Sequence, residues 1–554
     1  MISFCHSAWV PRLITLSLFA NALLIYYYLF LTPEQPASTT SSSSAFPSLP
    51  ILPSTNYREI VTPEDQSFWP YRVYKTSHFT PPHFSITTNG GAVADGYIFI
   101  TPEARGGNGP NQSLPLIMTQ DGDLVYCWDQ VGLRDFQVQT IKGKPYLTSW
   151  QGIPKVGHGY GEWVTMDDGY IRSSTHLDIQ VNTRKEHINP TSFMDFHEHE
   201  VTPEGTVLVT AYNTTTYDLS SVGGPVNGWV VDSLLFEIDI ETSEVVYSWS
   251  ALDHINISKS KLSVPSNLGD GTEGRPYDFF HLNSIQPVGE DQLLISSRHY
   301  CACFMISRST GDVIWELNGS GEGGDFGPLP PEGQFRYQHH ARAHDVTSSG
   351  FRLSLFDNHN RNGDSGAVTS RSIMLDIKLP PSQDSPPRIL HTLEPHKSLY
   401  ANSQGSYQAD LSNGNGLLGY GQIPVITEYG PSGDSNDIRW EARFGNDNTV
   451  DSYRAFKSDW KGTPKEWPPS LVYERNGTDM KAYVSWNGAT EVQQWNLYEE
   501  EVGVGLTAIG QAIAHGFETA IEIPATLFAR PRCIIAVAVQ DDRELLYSNT
   551  ACFE

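Results

Sequence analysis

One pattern recurs along the middle of this 554-residue chain and restricts its fold more than any other feature. A polar-headed strand is followed by a turn, an aliphatic strand, a further strand ending near Asp or Gly, and an aliphatic-x-Trp strand. One copy reads HEHEVTPEGTVLVTAY (197–212), then LLFEIDIETSEVVYSWSA (234–251). The next reads HLNSIQPVGEDQLLISSRHY (281–300), then CFMISRSTGDVIWELNG (303–319); a third begins HHARAHDVTSSGFRLSLFDN (339–358) and a fourth YQADLSNGNGLLGYGQ (407–422). Trp128, Trp249, Trp315 and Trp440 mark unit ends. A four-stranded unit cannot bury both of its faces alone, so such units stack radially and their first strands line a central channel. With earlier units in 70–190, where LPLIMTQDGDLVYCW (114–128) is a unit end, the expected fold is all-β, a six-bladed β-propeller over 57–450. A multi-sheet sandwich is the competing arrangement.

Beyond Arg443–Gly445 the pattern changes. Residues 467–554 hold SLVYER, KAYVSW, VQQWNLYEE, FETAIEIP and CIIAVAVQ, spaced as in a small two-sheet β-sandwich of the fibronectin or Ig type. It holds no clustered catalytic residues and reads as structural. Cys533 and Cys552 fall in two of its strands and can pair if the compartment is oxidising, whereas Cys127, Cys301 and Cys303 have no evident partners.

The opposite end sets the compartment. Residues 13–31 form an uncharged apolar run long enough for the ~30 Å hydrocarbon core. Arg12 before it and Glu34 after it put residues 1–12 in the cytosol and the rest in the lumen or outside, as a single-pass signal anchor. A cleaved signal sequence, giving a secreted protein, is the rival reading. Residues 32–56, rich in Ser, Thr and Pro, read as a stalk. Sequons at Asn111, Asn213, Asn256, Asn318 and Asn476 agree with export as a glycoprotein. Oligomeric state is not legible.

Thirty-six Lys and Arg against 63 Asp and Glu leave a net charge of −27, which argues against nucleic-acid partners. An anionic substrate therefore needs a local cation. The histidines supply the chemistry: His197, His199, His281, His299, His339, His340 and His344 fall at or near the heads of successive units. Strand alternation puts His197 and His199 on one face, and His281 and Asn283 on one face. The same rule admits only one of His339 and His340 to the channel. Arg298, after LLISS, offers the fixed guanidinium. No GxxxxGK[ST] loop exists, so no nucleotide donor or other cofactor is implied. A metal site from His197, His199, His339 and His344 was the weakest alternative, because no helical HExxH accompanies them, and the expectation is no metal.

The pieces DFHEHEVTPEGTVLVTAYN, WVVDSLLFEIDIETSEVVYSWSALDHI, PYDFFHLNSIQPVGEDQLLISSRH and YQHHARAHD resemble the arylsulfotransferase family, in particular its fungal branch, across roughly 68–550. The resemblance implies a propeller in which a histidine takes a sulfuryl group from a phenolic sulfate and passes it to a phenol. Matched residue by residue, His339 looks like the nucleophile, His281 and Asn283 like the second-blade pair, Arg298 like the sulfate-holding cation and His197 like the acid or base. His199, His340, Arg342 and His299 would contact the small aromatic substrate. Two departures stand out: His339–His340 is doubled, and HEHE offers two histidines where one is expected. The alternatives are a secondary-metabolite tailoring enzyme, working as isomerase, cyclase or lyase with the same groups, and a non-catalytic ligand-binding propeller on the membrane.

Overall fold

The computed structural model describes residues 49–105, 112–155, 157–168, 170–172, 194–361, 367–477, 479–501, 505–524 and 532–553. The apolar run and most of the stalk lie outside them, as does Asn111. Among the described residues no helix is long and apolar enough to cross a membrane. The chain is almost wholly β.

Six antiparallel arrays follow one another. Sheet A joins Ala455–Ser458, Tyr97–Ile100, Leu116–Met118 and Leu124–Cys127. Sheet B runs Leu133–Ile141, Lys144–Lys155, His158–Asp168, Ile171–Arg172, and sheet C runs Met194–Val201, Thr206–Tyr217, Gly228–Asp239, Val245–Ser250. One pair, Gly161 opposite Met194, fuses B and C into a nine-stranded sheet that also takes Tyr277–Asp278 in parallel. Sheet D comprises Leu282–Val288, Gln292–Ser297, Ala302–Ser307 and Val313–Asn318; sheet E comprises His339–Thr347, Gly350–Asp357, Arg371–Lys378 and Arg388–Leu393. Sheet F runs Ser406–Gln408, Gly416–Gly419, Val425–Tyr429, Ile438–Arg443 and ends on Ser85–Thr88. The first strands of A to F pack against one another in turn and close a ring.

Hydrophobic packing follows the same order, with a separate apolar cluster between each sheet and the next. The tryptophans that end the units sit in these seams. Trp249 of sheet C donates its indole N–H to the Gly311 carbonyl of sheet D (3.0 Å), and Trp440 of sheet F donates to Gln120 of sheet A (3.0 Å). Trp315 of sheet D stacks on Phe351 of sheet E, with centroids 5.9 Å apart. An aromatic ring buries a large apolar area while its N–H finds a carbonyl, so each residue fastens one sheet to its successor.

Two boundaries move. Ala455–Ser458, beyond the expected end at 450, is the first strand of sheet A, paired with Tyr97–Ile100 from the other end of the chain. Residues 50–56, expected in the stalk, are folded: Ser54–Asn56 pairs with Glu518–Ile523 and Leu52 enters the apolar cluster of the C-terminal region. A short Pro- and Ser-rich segment packs here because an edge strand offers it a backbone ladder. That region itself consists of two sheets about a shared core, and Cys533 and Cys552 are disulfide-bonded in facing strands. Cys127, Cys301 and Cys303 are buried thiols.

A glycan needs an amide open to solvent. Asn256 and Asn476 are exposed, but Asn213 and Asn318 are buried, which removes those two as acceptors.

Candidate active site

The histidines converge because the strands that carry them are irregular. Pairing slips between Met194 and His199 in sheet C, between Leu282 and Ser284 in sheet D, and between His339 and Arg342 in sheet E. His281, just ahead of its strand, and His340 take left-handed φ values of 56° and 52°. Bulges of this kind re-aim side chains next to functional sites, and a non-glycine residue at positive φ is held there only by its surroundings. The alternation rule therefore fails locally. Both His339 and His340 are buried, and they serve different neighbourhoods.

His197, His281 and His299 lie in one cluster with His158. Ring centroids are 4.8 Å apart for His197 and His281, 5.2 Å for His158 and His281, and 4.7 Å for His281 and His299. Tyr212 lies 4.2 Å from His158, and Tyr453 bridges His197 (5.5 Å) to His339 (6.3 Å). Two carboxylates back the rings. Asp195 bonds Nδ1 of His197, and Asp278 Oδ2 lies 2.6 Å from Nδ1 of His281 and 3.4 Å from Nε2 of His158. His158 and Tyr212 are the partly exposed members, so this is the side open to solvent.

Arg298 donates to Nε2 of His299 (2.7 Å) and to the Asn402 carbonyl (2.8 Å), while its buried Nε has no partner among the described residues. Since a guanidinium only donates, His299 accepts at Nε2 and must donate from Nδ1 to the Asp278 carbonyl, 2.6 Å away. The His299 tautomer is thereby set.

The same logic sets His339. The Asn358 amide donates to the carbonyls of Ala401 (3.2 Å) and Gln404 (2.9 Å), which orients its Oδ1 toward Nδ1 of His339 at 2.6 Å. That nitrogen carries the proton, and the lone pair is on Nε2, where the Gln404 N–H approaches to 3.3 Å. Burial, with Arg298 nearby, keeps the His339 pKa well below the usual imidazole range. Burial likewise pushes His281 down to about 4 despite Asp278. Burial opposes ionisation of Asp278, but the facing imidazoles His281 and His299 hold it well below the ordinary carboxylate range.

Other expected site residues point elsewhere. Asn283 is fully buried and donates from Nδ2 to the Gln338 carbonyl (2.6 Å), so it holds the backbone leading to His339 instead of facing the opening. His199 lies against Asp135 (3.3 Å) and Thr148. His340 meets Tyr407 and Phe456 and, with Arg342 and His344, lines a separate cavity of about 370 Å³ with Glu200. Between the two lies a buried ionic lattice: Arg454 reaches Asp135 (3.0 Å), Glu198 (2.7 Å) and the carbonyl of His197 (2.8 Å), and Arg342 reaches Glu198 (2.8 Å). A larger hollow of about 1170 Å³, lined by His78, Trp128, Tyr126 and Trp467, includes no residue of the cluster.

Sequence reasoning missed His158, Asp195, Asp278, Asn358, Tyr453 and Arg454. One signal was available for His158, which sits in GHGYG. A Cβ on Gly161 would fall 2.1 Å from the Trp150 indole and one on Gly159 would fall 2.6 Å from Phe196, so these glycines let the strand close in over the site.

No curated protein matches the chain. Among solved structures it is similar to a protein of unknown function from Bacteroides caccae (11% identity, 58% of this chain and 95% of that one, TM-score 0.21). A member of the duf4221 family from Bacteroides vulgatus (10% identity, 65% and 83%, TM-score 0.22) and Citrobacter koseri AztD (10% identity, 82% and 96%, TM-score 0.20) are similar at the same level. The family described as arylsulfotransferase (ASST) matches residues 137–445, more than half of the chain and the span holding sheets B to F with every histidine of the cluster. The chain therefore belongs to the arylsulfotransferase family.

Proposed function

We propose that this chain transfers a sulfuryl group from a phenolic sulfate ester to a phenol through a sulfo-histidine on His339, without a nucleotide donor. The observation that carries the reading is the locked tautomer: Asn358 fixes the proton on Nδ1 and leaves the Nε2 lone pair within the Arg298 and His197 neighbourhood. Nε2 attacks sulfur, the sulfur–oxygen bond to the aryl group breaks, and the phenolate leaves with a proton from His197. Asp195 holds Nδ1 of His197, so Nε2 is the nitrogen that moves the proton. The acceptor phenol returns its proton to His197 and attacks the sulfo-imidazole, restoring the enzyme. Free donors of Arg298 stabilise the equatorial oxygens as they would in phosphoryl transfer, while neutral His281 spends its one N–H on Asp278. Asn283 acts on the backbone before His339 and not on the ester.

The six sheets are read as propeller blades, supported by the ring of first strands and the seam tryptophans. The motifs at 195–358 support a reading of the chain as one of the fungal branch, and the run at 13–31 is read as a signal anchor that leaves sheets A to F in the lumen or outside. Peptide mass spectrometry of the full chain with a chromogenic aryl sulfate tests the mechanism. One sulfuryl group on His339, discharged by added phenol, is expected; an adduct elsewhere, or none with continuing transfer, ends it.

A second reading has one observation in its favour. Two buried carboxylates share the cluster with one guanidinium, a balance that suits acid–base chemistry on a neutral tailoring substrate better than binding of an anion. Turnover of a phenolic substrate with no sulfate present selects it.

A further inference from the structure

The same carboxylates point to something that neither transfer nor acid–base chemistry requires. Asp278 is 6% exposed, Asp195 is 0% exposed, and the cation of the cluster, Arg298, is committed to His299 and to a backbone carbonyl. Within ion-pair distance Asp278 Oδ2 meets imidazoles, Nδ1 of His281 at 2.6 Å, Nε2 of His158 at 3.4 Å and Nδ1 of His299 at 3.7 Å. A carboxylate buried without a fixed cation against it is costly.

The atoms around Asp278 suggest how that cost is met. One donor atom each from His158, Asp278 and His281 lies within 4.8 Å of the others. Oδ1 of Asp278 and Nδ1 of His158 are buried and have no hydrogen-bond partner among the described residues. Tyr277–Asp278 is held in parallel with Gly228–Asp239, Asp278 opposite Val231, and His281 follows at left-handed φ. His158 enters from sheet B beside the glycines that let that strand approach. Two chain segments thus deliver two imidazoles and a carboxylate to one point, with His158 at the partly open rim.

We propose that His158, Asp278 and His281 form a site for one divalent first-row transition ion. Two nitrogens and one carboxylate oxygen are a ligand set that suits zinc, iron, cobalt or manganese, and small side-chain rotations bring these atoms to bonds of about 2.0–2.2 Å. The ion gives Asp278 Oδ1 the partner it lacks. It also adds two positive charges beside Asp278, so that the pocket attracts an anionic oxygen at the open coordination position. The site stands whether or not that oxygen belongs to a sulfate ester, so its test and that of the sulfo-histidine fail separately.

The full-length chain, stripped with chelator and dialysed, is titrated with Co²⁺ alone and followed by visible absorption, with bound metal counted by mass spectrometry. One equivalent with d–d bands of nitrogen and oxygen ligation is expected. Affinity should fall at least about tenfold in His158→Ala and in Asp278→Asn. His396→Ala, on an exposed histidine outside the cluster, should bind as the parent does. Absence of stoichiometric binding, or equal affinity in the parent and His158→Ala, overturns the proposal. His158 is at the rim, so its variant keeps the test open if Asp278→Asn does not fold. Zn²⁺ should raise the thermal midpoint of the parent and not that of His158→Ala.

Discussion

Two polar regions lie side by side where the first strands meet, and they are built on opposite principles. In the lattice of Arg454, Arg342, Asp135 and Glu198, two guanidinium groups face two carboxylates, with Glu200 a further 3.5 Å contact of Arg342. In the cluster of His158, His197, His281, His299 and His339 the carboxylates Asp195 and Asp278 meet imidazoles. Buried atoms without a partner among the described residues occur in both regions, Arg454 Nε and Asp135 Oδ1 in the lattice, Arg298 Nε, Asp278 Oδ1 and His158 Nδ1 in the cluster. Carboxylates pinned by guanidinium groups mark scaffold, whereas carboxylates set against titratable rings mark a place where a proton moves or a ligand binds.

The comparison breaks most sharply at His339. His339→Ala should lower sulfuryl transfer by on the order of 10⁴-fold or more, read from initial rates with a chromogenic aryl sulfate. Rates within tenfold of the parent would move the nucleophile elsewhere. Arg454→Met probes the scaffold instead and should cost about 3–5 kcal/mol, because it strands Asp135 without its counter-charge and leaves Glu198 with Arg342 alone. Urea melts measure this, and an unshifted midpoint would mean that the lattice is ornamental.

Asn358→Ala lies between the two regions in kind. It should leave the fold largely intact and lower kcat by about 10²-fold, since His339 then loses the partner that fixes its tautomer. Asn358→Asp, whose oxygens still accept from Nδ1, should recover most of the rate. If alanine and aspartate behave alike, Asn358 does not act through the tautomer.

The smallest effect is on pH. His339 and His340 have pKa values held well below 6.5 chiefly by burial. Below that ordinary value the unfolded chain binds protons the folded chain refuses, so their stabilisation is complete above about pH 6.5 and is lost as the pH falls. Each contributes up to about 1.4 kcal/mol per pH unit in that window. Thermal midpoints between pH 7.5 and pH 5 should therefore fall less steeply in His340→Gln than in the parent. Equal slopes would falsify the assignment for His340.

The sheets were legible because Trp249, Trp315 and Trp440 repeat at the seams and announce unit ends whatever lies between them. Much of the cluster was legible too, since histidine is rare enough that several at unit heads stand out. What escaped has physical reasons. Strand alternation separated His339 from His340, but a bulge is a local slip that alternation cannot register. Asp278 and Asp195 look like ordinary acids in a chain with 63 of them. Arg454 lay past the expected end of the repeats, and its partners are 319 and 256 residues away.

That last separation also sets an order of events. The strand that closes the ring begins at Ala455, immediately after Arg454, so the final turn of the circle and the central cation arrive together. While the chain is being made, Asp135 waits for a counter-charge that has not yet been synthesised. Contacts this distant form late and slowly. A chain cut short of Ala455 carries every histidine of the cluster but lacks the strand that joins the first array to its neighbours, and its ring stays open.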